Sequence, residues 1–81
     1  MKDDFILTYD IGTTGNKCTV FDSLGQEVMA STVPYGTIYP KPGWSEQDPY
    51  LLWQSVVTGT RELIERFGLD PESVAGIGIS G

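Results

Sequence analysis

The segment Asp10-Ile11-Gly12-Thr13-Thr14-Gly15-Asn16-Lys17 carries the most chemical potential in the chain. It puts a carboxylate at the end of an apolar run, directly before a glycine-rich turn. Successive backbone N–H groups in such a turn converge on an anion and form a concavity that suits phosphate. Thr13 and Thr14 add hydroxyl donors, and Lys17 adds a point charge able to reach a terminal phosphate. Asp10 is suited to hold a magnesium ion through water, because magnesium sheds its hydration shell reluctantly. The competing reading is a plain β-hairpin turn, in which Asp10 bonds nearby backbone N–H groups. A carboxylate in an apolar strand is costly to bury without a partner, which adds weight to a functional role. The segment is not a Walker A loop, since no Gly-Lys-Ser/Thr follows and no helix begins here.

At the other end, Gly76-Ile77-Gly78-Ile79-Ser80-Gly81 matches the letters of a dinucleotide fingerprint. That fingerprint needs its glycines in the turn between a strand and a helix. Here the first two alternate with isoleucines inside an expected strand, so the structural reading is preferred. Trp44, Glu46 and Asp48 admit a sugar-wall reading, against a stronger one in which Asp48 caps a helix and Trp44 packs the loop. Cys18 reads as a small buried hydrophobe, and Glu62 with Arg66 as a solvated helix pair.

The elements that position these groups follow from local pattern. Phe5 to Ile11 is a nearly continuous β-prone run, as expected of a strand covered on both faces. Gly12 to Asn16 reads as a tight turn whose glycines supply positive φ. A second strand spans about Lys17 to Phe21, with Cys18 and Val20 facing away from Thr19 and Phe21. Asp22 to Gly25 is another turn, and a third strand runs from about Gln26 to Val33, ending before Pro34.

Tyr35 to Gln47 is punctuated by proline and glycine and reads as an irregular loop. A helix follows, with Asp48 as N-cap, Pro49 at its first position and Gly68 as its stop. Trp53, Val56, Val57, Thr60, Leu63, Ile64 and Phe67 fall at helical spacing, which predicts a core role for Trp53. Asp70-Pro71-Glu72 starts a short turn, and Val74 to Ile79 reads as a last strand, parallel to an earlier one. The order β-β-β-α-β leaves one sheet face thinly covered, the mark of an incomplete domain.

Composition excludes several functions. The 81 residues carry 11 acidic and 5 basic side chains, for a net charge of −6. With Lys2, Lys17, Lys41, Arg61 and Arg66 scattered, there is no basic patch for nucleic acid or an anionic membrane. The single cysteine and the absence of histidine exclude an intrachain disulfide and a Cys/His zinc site. No apolar run approaches a bilayer span and no leader pattern opens the chain, so a cytoplasmic location is expected.

Three segments together carry a resemblance. Asp10 to Gly15 followed by Lys17 resembles the first phosphate motif of the actin-like, sugar-kinase and Hsp70 superfamily, and more narrowly of the FGGY carbohydrate kinases. Pro42-Gly43-Trp44-Ser45-Glu46-Gln47-Asp48-Pro49, then Trp53, resembles a loop and helix start of xylulokinase-like members. Gly76 to Gly81 resembles the strand that precedes a sugar-contacting segment, and its Ser80-Gly81 ending is closer to xylulokinase-like or gluconokinase-like branches than to glycerol kinases.

The resemblance implies an α/β, partial ribonuclease-H-like (actin-like ATPase) domain. Residues 1–81 would be the N-terminal part of the first FGGY-kinase domain, with the second domain absent. It implies ATP and magnesium as cofactors, Asp10 organising the metal, and Gly12, Thr13, Thr14 and Lys17 at the phosphates. The implied reaction is ATP-dependent phosphorylation of a sugar hydroxyl by the intact enzyme. No catalytic residue lies in this segment, because the general base falls beyond Gly81, and the chain alone is expected to be inactive. Two alternatives stay open: a noncatalytic phosphate- or nucleotide-binding module, and an inert truncated fragment. Self-association through the exposed sheet face or edges is a further expectation.

Overall fold

Four strands and one long helix make up a computed structural model that describes residues 4–34 and 49–81. The strands are β1 (Phe5–Ile11), β2 (Gly15–Phe21), β3 (Glu27–Pro34) and β4 (Val74–Ser80), and the helix is α1 (Pro49–Glu65). They form one sheet in the order β3-β2-β1-β4. The first three are an antiparallel meander, and β4 joins the free edge of β1 in parallel. A parallel neighbour requires a crossover, and α1 supplies it between β3 and β4.

Local chemistry accounts for the joints. Asp22 Oδ1 accepts from the N–H groups of Leu24 and Gln26, both at 2.9 Å, and Gly25 adopts φ +81° to close that turn. Pro49 opens α1 at a position that needs no intrahelical N–H. Beyond its end, Gly68 takes φ +76° and lets the Leu69 N–H donate to the Leu63 carbonyl at 3.0 Å. Asp70 caps the single 3-10 turn Pro71–Ser73 by accepting from the Glu72 N–H at 3.0 Å.

The core lies between α1 and one face of the sheet. Leu7, Tyr9, Cys18, Val20, Leu63 and Leu69 are buried there, each full burial contributing roughly 1.5–3 kcal/mol for a large side chain. The residues of α1 that are buried are Ser55, Gly59 and Leu63, spaced by four along one line. This line lets the helix backbone come close, because a Cβ on Gly59 would collide with the Cys18 sulfur.

The structure corrects several expectations. Trp53 is not core: it is 62% exposed, because α1 lies over β2 and β3 and its apolar stripe overhangs the β4 side. Phe67 is likewise exposed and falls beyond the helix end. β1 is covered on one face only, with Ile6 and Asp10 exposed on the other. β2 begins at Gly15 rather than Lys17, and Pro34 belongs to β3 as the partner of Gly15. Thr19 faces away from Cys18 and Val20 as expected, and is buried as they are. The Tyr35 to Gln47 loop, the Asp48 cap and the readings of Trp44 and Glu46 lie outside the described residues.

Candidate functional site

Antiparallel partners share a face of the sheet, and so do parallel ones, so register alone assembles a row. Lys17 pairs with Thr32 across β2 and β3, Asp10 with Lys17 across β1 and β2, and Asp10 with Ser80 across β1 and β4. Thr32, Lys17, Asp10 and Ser80 therefore form a continuous polar row on the face that α1 does not cover. All four are exposed. At its end stands the Gly12–Gly15 turn, closed by the Gly12 N–H donating to the Gly15 carbonyl at 2.9 Å.

The turn is built differently from the sequence expectation. Neither Gly12 nor Gly15 has positive φ. Gly15 is instead a packing requirement, since a Cβ there would stand 3.0 Å from the Val33 carbonyl oxygen. Gly12, Thr13 and Thr14 are exposed on this rim. Among the described residues the Asp10 carboxylate has no side-chain hydrogen bond and no ion pair, so the plain-hairpin role of bonding nearby N–H groups is not seen.

Lys17 is close to Asp10 in register, yet its ammonium goes elsewhere. It lies 3.9 Å from Glu27 Oε1, with both side chains about half exposed. Asn16, expected in the turn, is instead fully buried in β2. Its Nδ2 donates to Ser55 Oγ at 3.2 Å, and the Ser55 hydroxyl donates to the Leu52 carbonyl at 2.6 Å. That chain of bonds fastens the strand leaving the turn to α1. Tyr9 and Thr60 share a further hydrogen bond between sheet and helix.

Two features complete the geometry. Gly76 and Gly78 lie within β4, where a Cβ on Gly76 would stand 3.3 Å from Ile6 Cδ1, so the dinucleotide fingerprint is not formed. On the helix side, Tyr9, Trp53, Val57, Ile64, Ile77 and Ile79 line an open groove of about 640 Å³. Ile77 and Ile79 are 64% and 71% exposed. Sequence reasoning missed both the groove and Glu27. The alternation of isoleucine and glycine marks a strand, but not that α1 would leave Ile77 and Ile79 uncovered.

Among the described residues no cluster of three His, Cys, Asp or Glu side chains is placed to hold a metal by itself. Asp10 could therefore serve only as a single carboxylate toward a hydrated cation that phosphate also ligates. No described helix is long and apolar enough to cross a membrane. Burial, and then the negative charge of Glu62, push the Cys18 thiol up to about 11.

A strand-turn-strand with a terminal carboxylate, continued by a crossover helix and a parallel strand, can be compared with known proteins. Residues 5–81 match the N-terminal domain of the FGGY family of carbohydrate kinases. The chain belongs to that family. Glycerol kinase 2 of Thermotoga maritima is 40% identical over 76 residues, which are 94% of this chain and 15% of the relative. A glycerol kinase of Paraburkholderia phytofirmans is 39% identical over 80 residues, 99% of this chain and 16% of the relative.

A xyloylose kinase from Brucella ovis superposes with a TM-score of 0.84 at 32% identity, covering 95% of this chain and 16% of that one. A gluconate kinase from Lactobacillus acidophilus gives 0.79 at 29% identity, covering 96% and 15%. This FGGY chain thus has the actin-like, ribonuclease-H-like fold in part, and spans 15–16% of the length of the glycerol kinases it matches.

Proposed function

We propose that this FGGY segment supplies part of the MgATP phosphate site of an ATP-dependent carbohydrate kinase. The single observation that carries the reading is the Asp10 carboxylate, exposed at the strand end beside the exposed turn residues Gly12, Thr13 and Thr14. With the Gly12 N–H closing the turn, the Thr14 N–H and the Thr13 and Thr14 hydroxyls would meet phosphate oxygens beside Gly12, with Lys17 adding charge. Asp10 would hold a magnesium ion through its water shell. When bound, the metal offsets charge on the transferring phosphoryl group. The rest of the reaction needs an in-line sugar hydroxyl and a general base, neither of which these residues provide.

Residues 1–81 on this reading are the N-terminal part of the first kinase domain, in a protein of cytoplasmic location. Ser80-Gly81 supports a xylulokinase-like acceptor. Identity of 37–40% to glycerol kinases supports the second reading, a glycerol-phosphorylating enzyme. A polyol and sugar panel, assayed on the protein encoded by the full reading frame that contains this segment, separates the two. Turnover on D-xylulose but not glycerol supports the first, and the reverse overturns it.

The phosphate role is tested by titrating the 81-residue chain with MgATP and following its amide resonances. Movement confined to Ile11 to Lys17 is expected. No movement at millimolar ligand would favour a segment with no ligand of its own.

For the chain by itself, the groove supports association with a second copy. Arg61 and Glu65 on its rim carry opposite charges and are able to pair with their counterparts across a two-fold axis.

A further inference from the structure

We propose that Glu27 is a positioning residue for Lys17, holding its ammonium away from the phosphate turn so that an anion must win it from a carboxylate. The inference rests on the reading of the turn as a phosphate site. It concerns a residue that neither the motif nor the polar row contains.

Register establishes the geometry. Lys17 stands two positions after Gly15, close to the turn. Glu27 pairs with Phe21, four positions further along β2, with a bulge between Val20 and Phe21. At about 3.3 Å per strand residue, that separation is roughly 13 Å. The 3.9 Å contact between the ammonium and Glu27 Oε1 is therefore made with the Lys17 side chain laid along the strand, pointing away from the Gly12–Gly15 rim. Swinging back toward the rim breaks the pair.

The exchange is biased by charge. A single exposed carboxylate holds an ammonium weakly, whereas a polyphosphate presents several negative charges to the same group. An unliganded turn thus leaves Lys17 on Glu27, and a phosphate chain in the turn draws it off. The same pair keeps the Lys17 ammonium off the Asp10 carboxylate opposite it in register, which would be the metal's ligand. The bulge has a part in this arrangement, because it sets which β3 residue lies within reach of a lysine extended over Thr19.

The test uses the 81-residue chain and magnesium tripolyphosphate, at fixed low ionic strength because the pair is screened by salt. Glu27→Gln should tighten tripolyphosphate binding by about two- to fivefold, the range set by an exposed ion pair. Lys17→Ala should weaken it, and Glu27→Gln added to Lys17→Ala should change nothing further. The 15N resonance of the Lys17 ammonium should move in Glu27→Gln, and in wild type on adding ligand.

Equal affinity in wild type and Glu27→Gln, with Lys17→Ala weakened, overturns the proposal. Equal tightening by Glu27→Gln with and without Lys17 also overturns it, because Glu27 then acts as a distant charge. If no variant binds, the turn is not a phosphate site and the exchange falls with it. An ammonium resonance that still responds to Glu27→Gln would then show that the ion pair is real and the phosphate reading is what failed.

Discussion

Gly59 of α1 lies against Cys18 of β2 so closely that a Cβ on the glycine would overlap the sulfur. The helix therefore rests on the sheet through its smallest residue, and the cysteine fills the space a longer helix side chain would take. Val33 Cγ2 closes the same site, 3.3 Å from where that Cβ would be.

Gly59→Ala should destabilise the fold by about 1–3 kcal/mol, although alanine favours the helix itself by about 1 kcal/mol. Urea unfolding measures the loss. In the Cys18→Ala background the same substitution should cost less, and strict additivity of the two would show that the contact is not the cause.

The buried thiol predicts a pH dependence. Folding raises the Cys18 pKa from 9.0 to about 11, so the folded state holds its proton more tightly than the unfolded one. This contribution is fully present below pH 9.0 and is lost as pH rises toward about 11. Each pKa unit corresponds to about 1.4 kcal/mol. Stability measured at the two ends of that window should fall more steeply in wild type than in Cys18→Ala, and parallel slopes would remove the thiol as the cause.

Asp10→Ala should abolish the MgATP-induced amide shifts while leaving stability within about 0.5 kcal/mol, since the carboxylate bonds no described residue. Retained shifts would mean that the turn binds phosphate without the carboxylate. Neither variant nor wild type of the 81-residue chain should show sugar-dependent ATP turnover. Turnover that Asp10→Ala eliminates would contradict that.

Trp53 and the groove predict association. Light scattering should show the mass of the chain rising with concentration, and Trp53→Lys should hold it at the monomer. A constant monomer mass across a hundredfold dilution series would count against a second copy as the occupant.

The fold was legible wherever pattern and backbone agree. β1, the helix start at Pro49, the Gly68 stop and the parallel β4 were all readable from apolar runs and from residues with special dihedrals. The rotation of α1 was not. Apolar spacing includes Leu63, which is buried, but also Trp53 and Phe67, which are exposed, and it omits the buried Ser55 and Gly59. Small residues are silent in a hydrophobic pattern, yet they decide how near two backbones come.

Of the candidate site, Asp10 and its turn could be read from one contiguous segment. The Lys17–Glu27 pair could not, because it spans two strands and depends on a bulge that shifts register by one. Asn16 was misplaced for a related reason: an amide beside glycine reads as turn, and only its bond to Ser55 accounts for its burial.

The uncovered groove beside β4 also has a consequence in time. In relatives where such a segment is 15% of the length, the ribosome has most of its work still ahead when this sheet has emerged. At about 5–20 residues per second, a relative of that length takes tens of seconds to add the rest of its chain, and an apolar face such as Ile77, Ile79 and Trp53 make here would meet solvent throughout. Surface of that kind, exposed before its cover is made, is what chaperones shield from aggregation.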